Sequence, residues 1–337
     1  MNILITSYAY APSVGGIETV TDLMAPAFEA KGHAVKIVTD TPANETYEET
    51  IPVLRQPSRS KLIDVVQWAD VVWQNNIALN YLWAPLLLGK PTAVTLQCAI
   101  FPEFPRKDWR VRLKALLLHR CRIFAISKYV MNDLNLRYEL IGNPFDPGFA
   151  DGLKDVVKAK DIVFVGRLVS DKGVDLLIDA LASLKALRKT PTCTIIGDGE
   201  ERASLEAQTA RLGLTEQVEF VGFLKGEKLH QLMATHRIMV VPSRWKEPFG
   251  IVALEGIAAG CAVVGSAGGG LGDAIGPCGL TFPNGDGEAL ATQLLRIFDE
   301  SDLVKTFQSE ANAHLERFSV ETQSKRYLEA FEEMKAS

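Results

Sequence analysis

The stretch that most narrows the folding options is residues 237–260. Arg-Ile-Met-Val-Val at 237–241 is a short apolar run, fit for a buried strand and too brief for a helix. Pro242-Ser243-Arg244-Trp245-Lys246-Glu247-Pro248 follows. Its two prolines break regular pairing and read as a turn. Ala253-Leu254-Glu255-Gly256-Ile257-Ala258-Ala259-Gly260 then reads as a helix, entered near Phe249–Gly250 and ended by Gly260. Strand, turn and helix in that order build a parallel sheet with helices on its faces. In an open sheet of that kind the turn lies at the carboxyl ends of the strands, where ligands bind. The helix start offers unpaired N–H groups and a partial positive charge, which suit an anionic or hydroxyl-rich ligand. Two carboxylates flank it, Glu247 on the turn and Glu255 in the second helical turn.

The same alternation recurs along the whole chain. Strands are expected at Asn2–Ser7, Ala34–Thr39, Ile51–Leu54, Asp70–Trp73, Thr92–Leu96 and Ile123–Ile126. Helices are expected near 17–31, 60–68, 77–88 and 107–120, with another opening at Ser127-Lys128. After a turn-rich run, Ile141-Gly-Asn-Pro-Phe-Asp-Pro-Gly148, strands resume at Asp161–Val165, Thr192–Ile196, Val218–Val221, Ile238–Val241, Ala262–Ser266 and Gly279–Phe282. A helix follows from Val174 to about Arg188. Asn284-Gly-Asp286 reads as a turn and N-cap before further helices over 286–335. The 337 residues exceed what one such core holds, so two domains of roughly 150 residues are expected. We expect domains over 1–143 and 144–318, with 319–337 forming a last helix.

Composition excludes several classes. A net charge of −5 carries no global nucleic-acid signature. Cys98, Cys121, Cys193, Cys261 and Cys278 are scattered without a CxxC pair, which fits a reducing cytoplasm rather than a disulfide or zinc scaffold. Met-Asn-Ile-Leu-Ile-Thr-Ser at the start reads as a strand, not a signal peptide. The apolar stretch near Tyr81–Gly89 is broken by Pro85 and too short to span a bilayer.

Three features of the first half keep two readings each. Gly15-Gly16 before the first helix is either a plain turn or a place where backbone approaches a ligand; it does not complete GxGxxG. Gln97, just after the strand at 92–96, either caps the strand or hydrogen-bonds a ligand. It cannot take a proton near neutral pH. Within 106–122, Arg106, Lys107, Arg110, Arg112, Lys114, Arg120 and Arg122 are opposed only by Asp108. With Phe101, Phe104 and Trp109 nearby, this is either a solvated basic face or a surface for an anionic membrane.

In the second half, Gly166-Arg167 ends a strand and Lys172-Gly173 precedes a helix. Glycine admits close backbone approach, Arg forks onto two oxygens and Lys supplies a point charge, which is what a diphosphate requires. No DxD or clustered His/Asp set is present, so these cations, rather than a metal, are expected to compensate the charge. We expect no metal and no cofactor. Neither half joins GxGxxG to an acid about twenty residues on, which argues against a nicotinamide oxidoreductase.

Glu-Pro-Phe-Gly-Ile-Val-Ala-Leu-Glu at 247–255 resembles the E-x7-E motif of retaining glycosyltransferases with the GT-B fold, most closely family GT4. Gly166-Arg167 to Lys172-Gly173 is similar to that family's G-R-x(4)-K-G. Asn143 and Asp146 resemble its interdomain segment, and Gly268-Gly-Gly-Leu-Gly-Asp273 its G-G-x-x-E with the acid one residue late. The resemblance implies an α/β GT-B architecture: two Rossmann-like, doubly wound parallel-sheet domains facing a central cleft, with the C-terminal helix returning to the N-domain through Tyr327, Leu328 and Phe331. It implies a retaining, metal-independent hexosyltransferase that takes a nucleotide-sugar, UDP- or GDP-linked, to a glycan or lipid-linked acceptor in cell-surface polysaccharide or glycolipid synthesis. The N-domain would bind the acceptor and the C-domain the donor. Implied donor contacts are Gly15 and Gly16 amides, Gly166, Arg167, Lys172, Gly197, Gly199, the base-lining Gly222, Phe223 and Leu224, then Glu247, Phe249, Gly250, Ile251, Val252 and, at the ribose, Glu255. Implied catalytic residues are Glu247, Arg167, Lys172 and Gln97, although the family often carries His at the last position. A cytoplasmic protein, peripheral at the inner face of the plasma membrane through 104–122, follows from the same resemblance. A GT-B epimerase, a phosphorylase or a non-catalytic scaffold is the alternative.

Overall fold

The computed structural model describes residues 1–13, 15–43, 49–100, 109–131, 136–151, 156–300 and 302–336. These divide into two units, Met1–Asp146 with Phe318–Ser337, and Pro147–Arg317. The break at Asp146–Pro147 falls inside the turn-rich run 141–148.

The first unit holds strands β1 (Asn2–Thr6), β2 (Ala34–Thr39), β3 (Val53–Arg55), β4 (Val71–Asn75), β5 (Thr92–Leu96), β6 (Arg122–Ala125) and β7 (Glu139–Leu140). Its helices are α1 (Gly16–Ala30), α2 (Arg59–Trp68), α3 (Leu79–Leu87), α4 (Trp109–Leu118) and α5 (Lys128–Met131). The strands pair in parallel in the order β3-β2-β1-β4-β5-β6-β7. β4 and β5 are buried along their whole length, because a parallel sheet is covered on both faces. Alternate residues serve opposite layers: Leu4 and Val72 pack with Val65, Val66 and Tyr81 of α2 and α3.

The second unit holds β8 (Lys160–Val165), β9 (Cys193–Ile196), β10 (Val218–Gly222), β11 (His236–Val241), β12 (Ala262–Ser266) and β13 (Gly279–Phe282). Its helices are α6 (Val174–Ala186), α7 (Arg202–Arg211), α8 (Glu227–Ala234), α9 (Ile251–Ala258), α10 (Leu271–Ile275), α11 (Gly287–Asp299) and α12 (Leu303–Glu316). The sheet order is β10-β9-β8-β11-β12-β13, again parallel. Both sheets therefore reverse direction of growth at an internal point, between β1 and β4 and between β8 and β11, the doubly wound pattern. Ile162, Phe164, Ile195, Ile238 and Val240 pack with Leu177, Leu181, Leu290 and Leu294 of α6 and α11. Asp286 caps α11 by accepting from the Ala289 N–H at 2.9 Å.

The last helix, α13 (Val320–Ala336), belongs to the first unit. Tyr327 and Phe331 are buried among Phe28, Trp73 and Phe124, with tilted or edge-on rings 4.7–6.5 Å apart. Thr95 Oγ1 accepts from Trp73 Nε1 at 2.8 Å and shares a 2.8 Å hydrogen bond with the Tyr327 hydroxyl. Arg326 donates to the carbonyls of Leu140 and Ile141, and Lys31 pairs with Glu321 at 2.6 Å.

Candidate active site

The reversal point of the second sheet lies between β8 and β11, so the carboxyl ends of those strands are where a ligand fits. Two loops leave it, 166–173 after β8 and 242–250 after β11. Gly173 has φ 67°, and a Cβ there would collide with the Pro242 carbonyl oxygen. Only glycine lets the two loops touch at that point. The Asp171 carbonyl then accepts from the N–H groups of Arg244 and Trp245 at 2.8 and 3.0 Å.

That contact brings together two residues 75 apart in sequence: Lys172 Nζ donates to Glu247 Oε1 at 2.6 Å. Ser243 Oγ donates to the same oxygen at 2.8 Å. The two side chains retain 24% and 12% of their exposure, so the pair is sheltered yet reachable. The Glu247 carbonyl accepts from Gly270 N–H at 2.7 Å. Asn284 Nδ2 donates to the Ser243 and Arg244 carbonyls at 3.2 and 3.3 Å, and its Oδ1 accepts from Gly268 N–H.

Arg167 is exposed at the end of β8, and no hydrogen bond or ion pair engages its side chain among the described residues. Its backbone is fixed on both sides: Gly166 N–H donates to Ile196 O at 3.0 Å and Leu168 N–H to Asp198 O at 2.9 Å. At Gly197 a Cβ would drive into the Gly166 carbonyl, so the strand ends close only around glycine. Gly199 faces the Leu168 carbonyl in the same way. Gly222 ends β10 and accepts from Gly197 N–H at 2.9 Å. Beside it Phe223 is 59% exposed, an aromatic face with no core function, while Leu224 is half-buried. Gly250 is the N-cap of α9, and no side chain caps that helix start at Ile251 and Val252. Phe249 is buried beneath the turn, and Glu255 is half-buried on the second turn of α9.

The first unit carries the remaining expected residues. Gly15 caps α1, Gly16 is its first residue, and the Glu18 carboxylate lies over Gly15. An acid thus already faces that helix start. Gln97 is expected either to cap the strand or to contact a ligand. It is buried, and its Nε2 donates to Asn75 Oδ1 at 2.8 Å and Asn143 Oδ1 at 3.1 Å. Asn143 Nδ2 returns a bond to Gln97 Oε1 at 2.7 Å, so both amide hydrogens of Gln97 are committed inside its own unit. Asn75 in turn donates to Ile17 O and Thr21 Oγ1, both at 2.8 Å. In the basic segment, Phe101, Phe104, Arg106, Lys107 and Asp108 lie outside the described residues. On α4, Val111 and Leu118 are buried, Arg110 and Arg112 are exposed, and Trp109 and Leu116 are 65% and 66% exposed. No described helix is long and apolar enough to cross a membrane.

Ser243, Arg244, Asp175 and Asn284 escaped the sequence reading as site residues. Ser243 and Arg244 lay in plain view on the turn, but nothing in their spacing singled out their partners.

Residues 151–314 match the family Glycosyl transferases group 1. The matched stretch lies within the second unit and contains Arg167, Lys172, Glu247 and Glu255. An uncharacterized glycosyltransferase of Methanocaldococcus jannaschii is 44% identical over 112 residues, 33% of this chain and 28% of that protein. Glycogen synthase of Mycobacterium tuberculosis is 37% identical over 145 residues, 42% of this chain and 34% of its own length. The chain spans about a third of the length of these curated relatives. The crystal structure of Anabaena HepE in complex with UDP superposes with a TM-score of 0.82 at 24% identity, over 99% of this chain and 100% of that one. That likeness establishes the fold: two parallel-sheet α/β units of the GT-B type with a C-terminal helix.

Proposed function

We propose that this chain is a retaining glycosyltransferase of the GT4 kind, taking a sugar from a UDP- or GDP-sugar to a glycan or lipid-linked acceptor. The observation that carries the reading is the Lys172–Glu247 pair beside the exposed Arg167, at the sheet reversal point of a group 1 domain. Arg167 is an uncommitted fork for two phosphate oxygens, and Lys172 is a point charge one short loop away. The α9 start at Phe249–Val252 adds backbone donors. Together they oppose the charge that grows on the departing diphosphate, with no metal ion in the proposal. Glu247 accepts from hydroxyls of the transferred sugar, Glu255 from the ribose, and Gly222, Phe223 and Leu224 line the base. The departing phosphate takes the acceptor proton on the same face, which preserves the anomeric configuration. UDP lies in the structure of HepE, which supports a uridine donor. Exposed Trp109, Arg110 and Arg112 on α4 support peripheral docking on an anionic leaflet from the cytoplasmic side.

A thermal-shift screen against UDP, GDP, ADP and their sugars tests the donor class. Stabilisation grows as ln(1 + [L]/Kd), so the preferred base stands apart. If none of the three nucleotides raises the melting temperature, the proposal fails.

A further inference from the structure

We infer that the Arg244–Asp175 ion pair is a positioning device that sets Glu247 against Lys172. The inference rests on the donor reading above. The Arg244 guanidinium meets the Asp175 carboxylate end-on: Nη1 to Oδ1 at 2.5 Å and Nη2 to Oδ2 at 2.5 Å. Nη1 also donates to the Ser170 carbonyl at 3.2 Å. Asp175 sits in the first turn of α6, immediately past Lys172 and Gly173. A forked pair has one allowed orientation, so it fixes angle as well as distance.

The surroundings argue for registration rather than stability. The partners retain 38% and 33% of their exposure, where ion pairs add little to folding. Yet the pair joins the two loops that carry the candidate chemistry, three residues before Glu247 on one side and three after Lys172 on the other. The N–H groups of Arg244 and Trp245 bind the Asp171 carbonyl on the same seam. Asn284 holds the Ser243 and Arg244 carbonyls. The turn is therefore held at Ser243, Arg244 and Trp245, directly before Glu247. Without the guanidinium fork, the turn keeps its backbone contacts and loses the element that fixes its rotation. Displacements of about 1 Å at such a position cost on the order of a hundredfold in rate.

The test uses the full chain with Arg244→Gln, Asp175→Asn and the exchanged double variant Arg244→Asp/Asp175→Arg. Amide hydrogen exchange of peptides covering 243–250, UDP affinity by calorimetry, and turnover of UDP-glucose are measured, with melting temperature as the folding control. Each single variant is expected to melt within about 3 °C of wild type, as exposed pairs do. Exchange at 243–250 should rise about tenfold. The rate kcat should fall by about tenfold or more, with Kd for UDP changed less than about threefold. The exchanged pair should recover most of the lost rate. Unchanged exchange, or raised exchange with wild-type kcat, overturns the inference. A wild-type protein that binds no nucleoside diphosphate sinks the donor reading instead, while the exchange measurement still decides whether the pair holds the turn.

Discussion

Lys172 and Glu247 share a 2.6 Å ion pair in which Ser243 Oγ bonds the same carboxylate oxygen. One oxygen of Glu247 is thus doubly held, and among the described residues no hydrogen bond engages the other. Under the donor reading, that second oxygen meets a sugar hydroxyl. Glu247→Gln keeps the shape but removes the charge that strengthens this bond. We expect kcat to fall by about a hundredfold or more, with nucleoside diphosphate affinity changed far less, because Arg167 and the α9 start are untouched and Lys172 loses only its ionic partner. Steady-state transfer kinetics beside calorimetry with UDP check this; a near wild-type rate removes Glu247 from the chemistry.

Arg167 offers the cleanest separation of binding from stability. Its guanidinium makes no bond within the described fold, so Arg167→Ala removes nothing that holds the second unit together. Unfolding free energy should stay within about 0.5 kcal/mol of wild type. Charge-assisted bonds contribute about 1.5–3 kcal/mol each, so UDP affinity should weaken by about ten- to a hundredfold. Equal affinity in the variant would falsify the assignment of Arg167 to the phosphates.

The architecture was legible because a parallel sheet buried on both faces writes its strands as compact apolar runs. All six strands of the second unit lie within two residues of their expected positions. β7 was missed, since two exposed residues, Glu139 and Leu140, carry no period to read. The helix expected to open at Ser127-Lys128 is described over Lys128–Met131.

The candidate residues were legible where residue type and short spacing coincide, as in Gly166-Arg167 and 247–255. They were illegible where a partner lies far along the chain. Asn284 reads as an ordinary turn residue, yet it grips a carbonyl 41 positions away. Gln97 kept two readings in the sequence, strand cap or ligand contact, and nothing there announced that Asn143, 46 positions on, bonds both ends of its amide. Long-range polar pairing leaves no periodic trace.

Tyr327 anchors the last helix to the first unit through one hydroxyl and one ring. Tyr327→Phe removes the bond to Thr95, which keeps Trp73 Nε1 as a donor, and should cost about 1 kcal/mol. Tyr327→Ala empties a fully buried site against Trp73 and Phe124, and about 3–5 kcal/mol is expected. Urea unfolding gives both values; a Tyr327→Ala protein as stable as wild type would detach α13 from that core.

His236 makes stability depend on pH. It is buried on β11, with Nδ1 facing the Leu232 carbonyl at 2.8 Å and Nε2 facing Thr194 Oγ1 at 2.9 Å. Burial pushes its pKa down to about 4, the Leu232 carbonyl opposes that, and Lys160 and Lys158 reinforce it. The unfolded chain titrates near 6.5, so between those values only the unfolded state takes the proton. The contribution of neutral His236 is therefore whole above about pH 6.5 and drains away as pH falls towards about 4, by up to about 1.4 kcal/mol per pH unit. His314, lowered by burial, acts with the same sign. His236→Gln should be less stable at neutral pH and lose less on acidification. Urea midpoints at stepped pH values decide it: parallel curves for variant and wild type would show that His236 is not the group that titrates.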